Sequence, residues 1–449
     1  MQGAGRRQGQ EGQDRRQDRG RRVRGRPAHR LSSGATRNVG EVIHAQQGTS
    51  RRRPHAPVQP VRERGVLTDE SQYRAHSTLF RRAMHWGLPT DEQWSVVLPS
   101  YEPGRVLAAF EGDEMVGTTQ SFGGTMVVPG GAVVPHAAVS RVGVRPDYTR
   151  RGVLSALMRE QLSTLAEPVA TLRASEGRIY GRFGYGMAGR VRFLRIDARK
   201  AVIPGSPTGQ VRMVDPDTSD KLLPELHAEF GQDRPGQISR WPGWWARALD
   251  RKTEAENRVM IVHSGSDGDD GYVCYKVSED KDFKHYMEVQ DFAWANAHAW
   301  RDLWIYLTRL DLIDEINVDA ALDDPLHWLF EDPRVVSTKD VYDQIWLRLV
   351  DVPRMLAART YGSADPVVIE VRDTLLPAND GCYRVSPDGA ERVEAQPDIT
   401  IPADLLGAVY LGDTRFSDLA AAKRIEGSRF DEADALFAGS VAPLCSTFF

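Results

Sequence analysis

The chain reads as a mixed α/β (α+β) protein built from more than one domain, and three observations carry that reading. Short apolar runs come first, followed by a strand–turn–helix–strand run. A Pro/Gly-rich stretch at residues 203–209 (IPGSPTG) marks a linker, beyond which a similar order of elements begins again. The length, 449 residues, exceeds what a single hydrophobic core organises.

The elements follow in order. Residues 1–65 hold 16 Arg against 5 acidic residues and almost no aliphatic periodicity, so they predict a disordered extension. The chain has 50 Arg and only 8 Lys, the mark of a GC-rich coding sequence. On that basis the extension reads as translation from a start site placed too far upstream, with a nucleic-acid-binding tail as the rival. Order is expected from Val66. A helical stripe spans 71–86, and Thr90 caps a second helix. Arg105–Phe110 and Met115–Phe122 form a hairpin, with further strands at 125–128 and 137–144. An amphipathic helix covers 152–166 and a buried strand 169–172. After the linker come a Trp-rich helix (238–249), strands at 258–263, 272–278 and 287–294, and a helix at 297–310. A third unit opens after Trp346–Val350 with Pro353 in the first turn of a helix. Its strands are expected at 367–371, 381–386 and 398–401, and its helices at 403–411 and 417–424.

Charge and composition exclude several function classes. The net charge of −4 divides into +11 for residues 1–65 and −15 for the remainder, so nucleic acid is a poor partner for the body of the molecule. No apolar run approaches bilayer length and no secretory h-region is present, which predicts a cytoplasmic protein without a membrane partner. Cys274, Cys382 and Cys445 are too far apart for a disulfide framework or a zinc site, and the histidines form no ligand-spaced cluster, so no metal is expected. Residues 267–271 (DGDDG) imitate a calcium loop but lack its spaced ligands, and read as a hairpin turn. Trp241, Trp244 and Trp245 read as packing between domains or subunits. Phe448 and Phe449 predict a docked chain end.

Chemistry concentrates in residues 139–154 (VSRVGVRPDYTRRGVL). A strand enters a turn, Arg150–Val153, which opens directly into a helix. A helix start presents unpaired N–H groups and the positive end of the macrodipole, which suits an anion. Gly152 permits close approach and Arg150 and Arg151 add charge, although an ordinary connection with solvated arginines would look the same.

Together with residues 173–186 (RASEGRIYGRFGYG), 346–353 (WLRLVDVP) and 410–424 (YLGDTRFSDLAAAKR), this run resembles the Eis (enhanced intracellular survival) family of GNAT N-acetyltransferases. The likeness extends from about residue 66 to 449. It implies an N-terminal GNAT domain (66–205), a degenerate GNAT-like domain (206–345) and a sterol-carrier-protein-like domain (346–449), assembled as a homohexamer. It also implies transfer of acetyl from acetyl-coenzyme A to a primary amine in a ternary complex, the acceptor being an aminoglycoside-like polyamine or a protein lysine. By the same likeness Val142 and Val144 offer backbone groups to pantetheine, and Arg150, Arg151, Gly152 and Val153 hold the phosphates. Ser175 lies beside the cofactor, Tyr180 is the general acid, and the α-carboxylate of Phe449 is the general base. Tyr185 is the competing phenol, kept second because Tyr180 holds the matching place in the motif.

Two departures from the family pattern stand out. Phe448 occupies a position where relatives carry a carboxylate, and His85 and Trp86 lie near another acidic position. Fewer carboxylates predict a more aromatic acceptor pocket, with His85, Trp86, Trp94, Phe122 and Phe448 as candidate walls and weaker attraction for polycations. The reading from another class is a binding protein with a vestigial GNAT site and an apolar ligand in its third domain.

Overall fold

A computed structural model of the chain describes residues 63–231, 233–248 and 258–449. The extension expected over residues 1–65 therefore lies outside the described residues, save its last three. Those three begin the first strand, β1 (Glu63–Val66), which pairs antiparallel with β2 and places Glu63 opposite Phe110.

The first helix, α1 (Glu70–Ala83), starts where the Asp69 carboxylate accepts the Ser71 N–H, and α2 (Asp91–Val97) starts at a reciprocal capping box between Thr90 and Gln93. An antiparallel meander follows: β2 (Val106–Glu111), β3 (Glu114–Val127) and β4 (Val133–Val144). The separate strand expected at 125–128 is the end of β3. Gly123 and Gly124 look like a break, but they let the strand pass beneath the Arg105 guanidinium and the Ser239 hydroxyl, where a Cβ would collide. The chain continues through α3 (Val153–Thr164), β5 (Val169–Leu172), the single turn α4 (Gly177–Tyr180) and β6 (Gly186–Asp197).

Beyond the linker lie β7 (Gln210–Met213), α5 (Pro216–Phe230), α6 (Pro242–Ala248), β8 (Arg258–Gly265), β9 (Gly268–Glu279) and β10 (His285–Trp294). Residues 267–271 form the β8–β9 hairpin turn and the start of β9, and Asp269 there is tied to Arg212. Then come α7 (Ala297–Thr308), β11 (Glu315–Ala321) and β12 (Val336–Leu349). These strands and those of the first half make one twelve-stranded sheet, ordered β1-β2-β3-β4-β5-β12-β6-β11-β10-β9-β8-β7. The latest strand is thus inserted between β5 and β6, pairing antiparallel with both. Gln344–Leu349 is its largely buried end, and the polar, mostly exposed Ser337–Asp343 segment hides the rest from a periodicity search.

The third unit has α8 (Val352–Ala358), β13 (Val367–Arg372), β14 (Gly381–Ser386), β15 (Gly389–Val393), β16 (Ile399–Pro402), α9 (Ala403–Val409), α10 (Phe416–Ala421), β17 (Glu426–Gly427) and α11 (Phe430–Phe437). Its five-stranded sheet is ordered β15-β14-β13-β16-β17. Its interior is filled by its own side chains, Ile369, Tyr383, Ile401, Leu406 and Phe416 among them.

An ion pair fastens this unit to the large sheet. Arg348 of β12 is fully buried and donates to both carboxylate oxygens of Asp373 at 2.8 and 2.6 Å. Asp373 also accepts the backbone N–H groups of Leu375 and Leu376 and the Asn379 side-chain amide. Asp373→Ala is expected to destabilise the protein by about 3–5 kcal/mol, because it strands a buried guanidinium; a urea unfolding midpoint equal to wild type would contradict this.

Candidate functional site

The site forms where two parallel strands part. β4 and β5 pair only at His136–Ala138 against Val169–Thr171, while β4 stays paired with β3 as far as Val144. Residues 139–144 therefore turn one backbone edge into a wedge, and Val142 and Val144 on it are partly exposed. The register of β4 slips opposite Thr118–Gln120, and Arg141 takes a left-handed φ of 51° at this bulge. Peptide groups freed by a splay are satisfied by ligand or water, so the wedge suits an amide-bearing arm.

At the wide end of the wedge stands the start of α3. Its N-cap is Gly152 at φ 82°, and no side chain caps the helix. A Cβ there would meet no atom within 4 Å, so the glycine is demanded by its left-handed backbone and the space above it is open. Arg150 is exposed at φ 63°, and Arg151 stacks on Tyr148 with 4.5 Å from its guanidinium carbon to the ring centre. Neither forms an ion pair among the described residues, whereas Arg145 is committed to Asp147 and Glu114. Val153, expected among the phosphate-holding residues, turns its side chain into the core and has only its backbone to offer.

The second half repeats this β–α–β unit with one difference. β10 and β11 are parallel at Tyr286–Glu288 against Glu315–Asn317, with α7 between them in sequence. There the helix start is filled by Asn296, whose side chain accepts the N–H groups of His298 and Ala299 at 3.0 Å. Gly152 leaves open what Asn296 closes.

Tyr180 ends α4, just beyond β5. It is 6% exposed, and burial pushes its phenol up to about 12, against a hydrogen bond with Ser175 that lowers it. Ser175 itself is exposed, so the residue expected beside the cofactor also touches the phenol. Tyr185 is wholly buried and its hydroxyl has no partner. Its phenol is raised further by burial, against the opposing Arg348 charge. Of the two, only Tyr180 keeps any exposed surface.

The chain end is docked by hydrogen bonds to side chains. Arg173, directly after β5, donates to the carbonyls of Cys445 and Thr447 at 2.9 and 3.0 Å. Gln344 and Gln237 accept the N–H groups of Cys445 and Ser446. The Phe448 carbonyl accepts Trp244 Nε1–H at 2.7 Å and the Arg247 guanidinium at 3.1 Å. Arg240, bidentate to Asp291, also donates to the Thr447 and Ser446 hydroxyls. Of the three tryptophans expected between domains or subunits, Trp244 and Trp241 meet the tail, while Trp245 packs against Trp244 and His227. Trp241 stacks on Phe122 at 4.2 Å and meets Phe449 edge-on at 6.3 Å.

The expected pocket walls divide. Phe122 is buried in the stack with Trp241, and Phe448 is half exposed beneath Arg173. Trp86 is exposed and rests edge-on against Phe80, whose backbone borders Gly143 of β4. His85 is exposed at the end of α1. Trp94 is core: it packs with Leu67, Tyr73 and Val106 and backs Tyr101 at 5.5 Å. Periodicity missed Arg141, Arg173 and Arg240, since an arginine inside or beside a strand carries no local sign of the neighbour it will reach. Among the described residues no group of three or more His, Cys, Asp or Glu is placed to hold a metal ion, and the three cysteines are free. No helix among them is long and apolar enough to cross a membrane.

Comparison with known proteins agrees with this architecture. Residues 67–188 and 236–349 each match an acetyltransferase (GNAT) domain family, and residues 352–446 match a sterol carrier protein domain. An N-acetyltransferase of Streptomyces griseus, itself described as uncharacterized, is 34% identical over 84% of this chain and 96% of its own length. N-acetyltransferase Eis of Mycobacterium tuberculosis is 33% identical over 78% of this chain and 89% of that protein. The crystal structure of Eis1 from Mycobacterium abscessus superposes with a TM-score of 0.79 at 36% identity, covering 86% of this chain and all of that one. With two GNAT domains, a sterol-carrier-like third unit and relatives that match nearly end to end, the chain belongs to the Eis family of GNAT N-acetyltransferases.

Proposed function

We propose that the protein transfers acetyl from acetyl-coenzyme A to a primary amine by direct attack in a ternary complex. GNAT acetyltransferases use acetyl-coenzyme A as co-substrate, and the residues present suit it. The observation that carries the reading is the pairing of an open, uncapped helix start at Gly152 with a backbone wedge that leads toward Tyr180. The N–H groups opening α3, with Arg150 and Arg151, hold the diphosphate, as fits unpaired donors at a positive helix end. Val142 and Val144 hold the pantetheine amides in the manner of an added strand. The co-substrate supplies an acyl group on sulfur, and everything else falls to this chain.

Tyr180 donates its hydroxyl proton to the sulfur as the C–S bond breaks. The α-carboxylate of Phe449 orients the amine and takes its proton through water. A terminal carboxylate with a reference pKa of ~3.5 is a weak base, so its main contribution is position and negative potential beside the incoming nitrogen. The balance is one amide and one free thiol from one thioester and one neutral amine. Aminoglycoside-like polyamines and protein lysines are the acceptors the family likeness suggests, and the homohexamer belongs to the same reading.

A thiol-trapping assay with acetyl-coenzyme A and a panel of amines tests it. Coenzyme A release that depends on the amine, with the acetylated product found by mass spectrometry, is expected. Folded protein that binds the cofactor yet releases no thiol with any amine would refute the activity.

A further inference from the structure

We infer that the cavity beside Phe448, in the second half of the chain, takes an aromatic ring of the acceptor, so that the preferred acceptors are primary amines carrying an aryl group on a short alkyl chain. The inference rests on the N-acetyltransferase reading and specifies its substrate class.

The cavity forms where parallel strands part for the second time. β10 and β11 pair only at Tyr286–Glu288 against Glu315–Asn317, and the residues immediately beyond, 289–294 and 318–320, line its walls. Its volume is about 180 Å³. A cavity of ~150 Å³ already admits a benzene ring. Phe292, Trp294 and Trp300 line it and are partly exposed, Phe448 is 43% exposed, and Gln290 and Asp319 are exposed beside them, so the cavity opens to solvent. Its place suits the proposed reaction. Arg173 lines it, and Ser175, two residues on, hydrogen-bonds Tyr180. Two residues of chain span at most ~7 Å. Phe448, on another wall, precedes the residue whose carboxylate orients the amine. An amine held between Tyr180 and Phe449 can send its substituent past Phe448 into the cavity, while its nitrogen meets the thioester at the phenol.

The chemistry of the walls chooses the substituent. Their carboxylates are already supplied from within the protein. Asp291 binds Arg240 and accepts the Tyr272 hydroxyl, Asp319 accepts the Tyr342 hydroxyl, and Asp324 accepts the Leu326 N–H at 2.9 Å. Asp233 stands within the field of Arg234. The buried polar wall atoms left without a partner among the described residues are both donors, Arg173 Nε and Trp304 Nε1. A second ammonium on the acceptor offers such donors nothing, and a carboxylate on it would face four aspartates. The π face of a neutral ring attracts a guanidinium and an indole N–H alike. Arg173 already uses a ring in this way, lying 4.8 Å from the centre of Phe448.

The test measures kcat/KM at saturating acetyl-coenzyme A for 2-phenylethylamine, 3-phenylpropylamine and 4-phenylbutylamine, each against the alkylamine of the same chain length, with 1,6-diaminohexane alongside. At least one aryl amine should exceed its alkyl counterpart by about ten- to a hundredfold, the gain from burying one phenyl group. Trp300→Ala and Phe448→Ala should each cut that ratio about tenfold. The second variant keeps the carbonyl that binds Trp244 and Arg247, so it reads the cavity even if the first fails to fold. A disturbance confined to the chain end would depress aryl and alkyl amines alike and leave the ratio unchanged, which would overturn the inference. So would wild-type ratios near one, or wild type that prefers the diamine, the outcome expected if Asp319 and Asp324 face a cation instead. Those results leave acetyl transfer intact, whereas thiol release with no amine refutes the activity and this selectivity together.

Discussion

Tyr180→Phe is expected to lower kcat by at least about a hundredfold while leaving the Kd for acetyl-coenzyme A unchanged, the usual loss when a positioned proton donor is removed. In the proposed reaction the hydroxyl serves the departing sulfur and not the diphosphate, so cofactor binding at Gly152 should not notice its loss. The fold should not either, because the ring stays in place against Tyr185 at 6.2 Å between centres. The pH profile sharpens the expectation. A general acid works only while protonated, and burial holds this phenol at about 12 against the ordinary 10. Turnover should therefore rise with pH as the amine loses its proton, with no fall until pH approaches that value. A descending limb near pH 9 in wild type, or a kcat for Tyr180→Phe equal to wild type, would remove the residue from this role. The same burial has a cost. At about 12 the phenol is a weaker acid than a thiol of reference pKa ~8.5, so proton transfer must accompany cleavage of the C–S bond instead of preceding it.

A flexible extension of a few residues appended after Phe449 should reduce kcat about a hundredfold, with thermal unfolding and cofactor affinity near wild type. The Phe448 carbonyl is pinned by Trp244 and Arg247, and Arg173 holds the two carbonyls at Cys445 and Thr447, so the tail keeps its path. What changes is the charge after Phe449, replaced by a neutral amide. Steady-state kinetics of the extended protein against wild type measures this, and full activity would show that the carboxylate has no part in the reaction. Trp244→Phe is a companion that removes one anchor while leaving the terminal charge intact. If position matters as much as charge, it too should lower kcat, by a smaller factor.

Much of the local structure was legible in advance because it is written in neighbours. Thr90 and Gln93 are three residues apart and cap their helix by themselves. The Val169–Leu172 strand is four apolar-compatible residues in a row and all four are buried. Gly152 ahead of an amphipathic stripe announced the helix start. The difference in burial between Tyr180 and Tyr185 was not written there. Both lie in the same glycine-rich turn, and Tyr185, within reach of the Arg348 charge brought in on β12, is the one buried completely.

By itself, then, the sequence determined the units, the family and the glycine that opens a helix without a side-chain cap, since each depends on residues within a few positions of one another. The tertiary structure alone decided the insertion of β12 between β5 and β6 and the seating of Phe449 against Trp241. The reason is range. Arg173 meets Thr447 across 274 positions of chain, and a periodic pattern records that a residue will be buried without recording what will cover it.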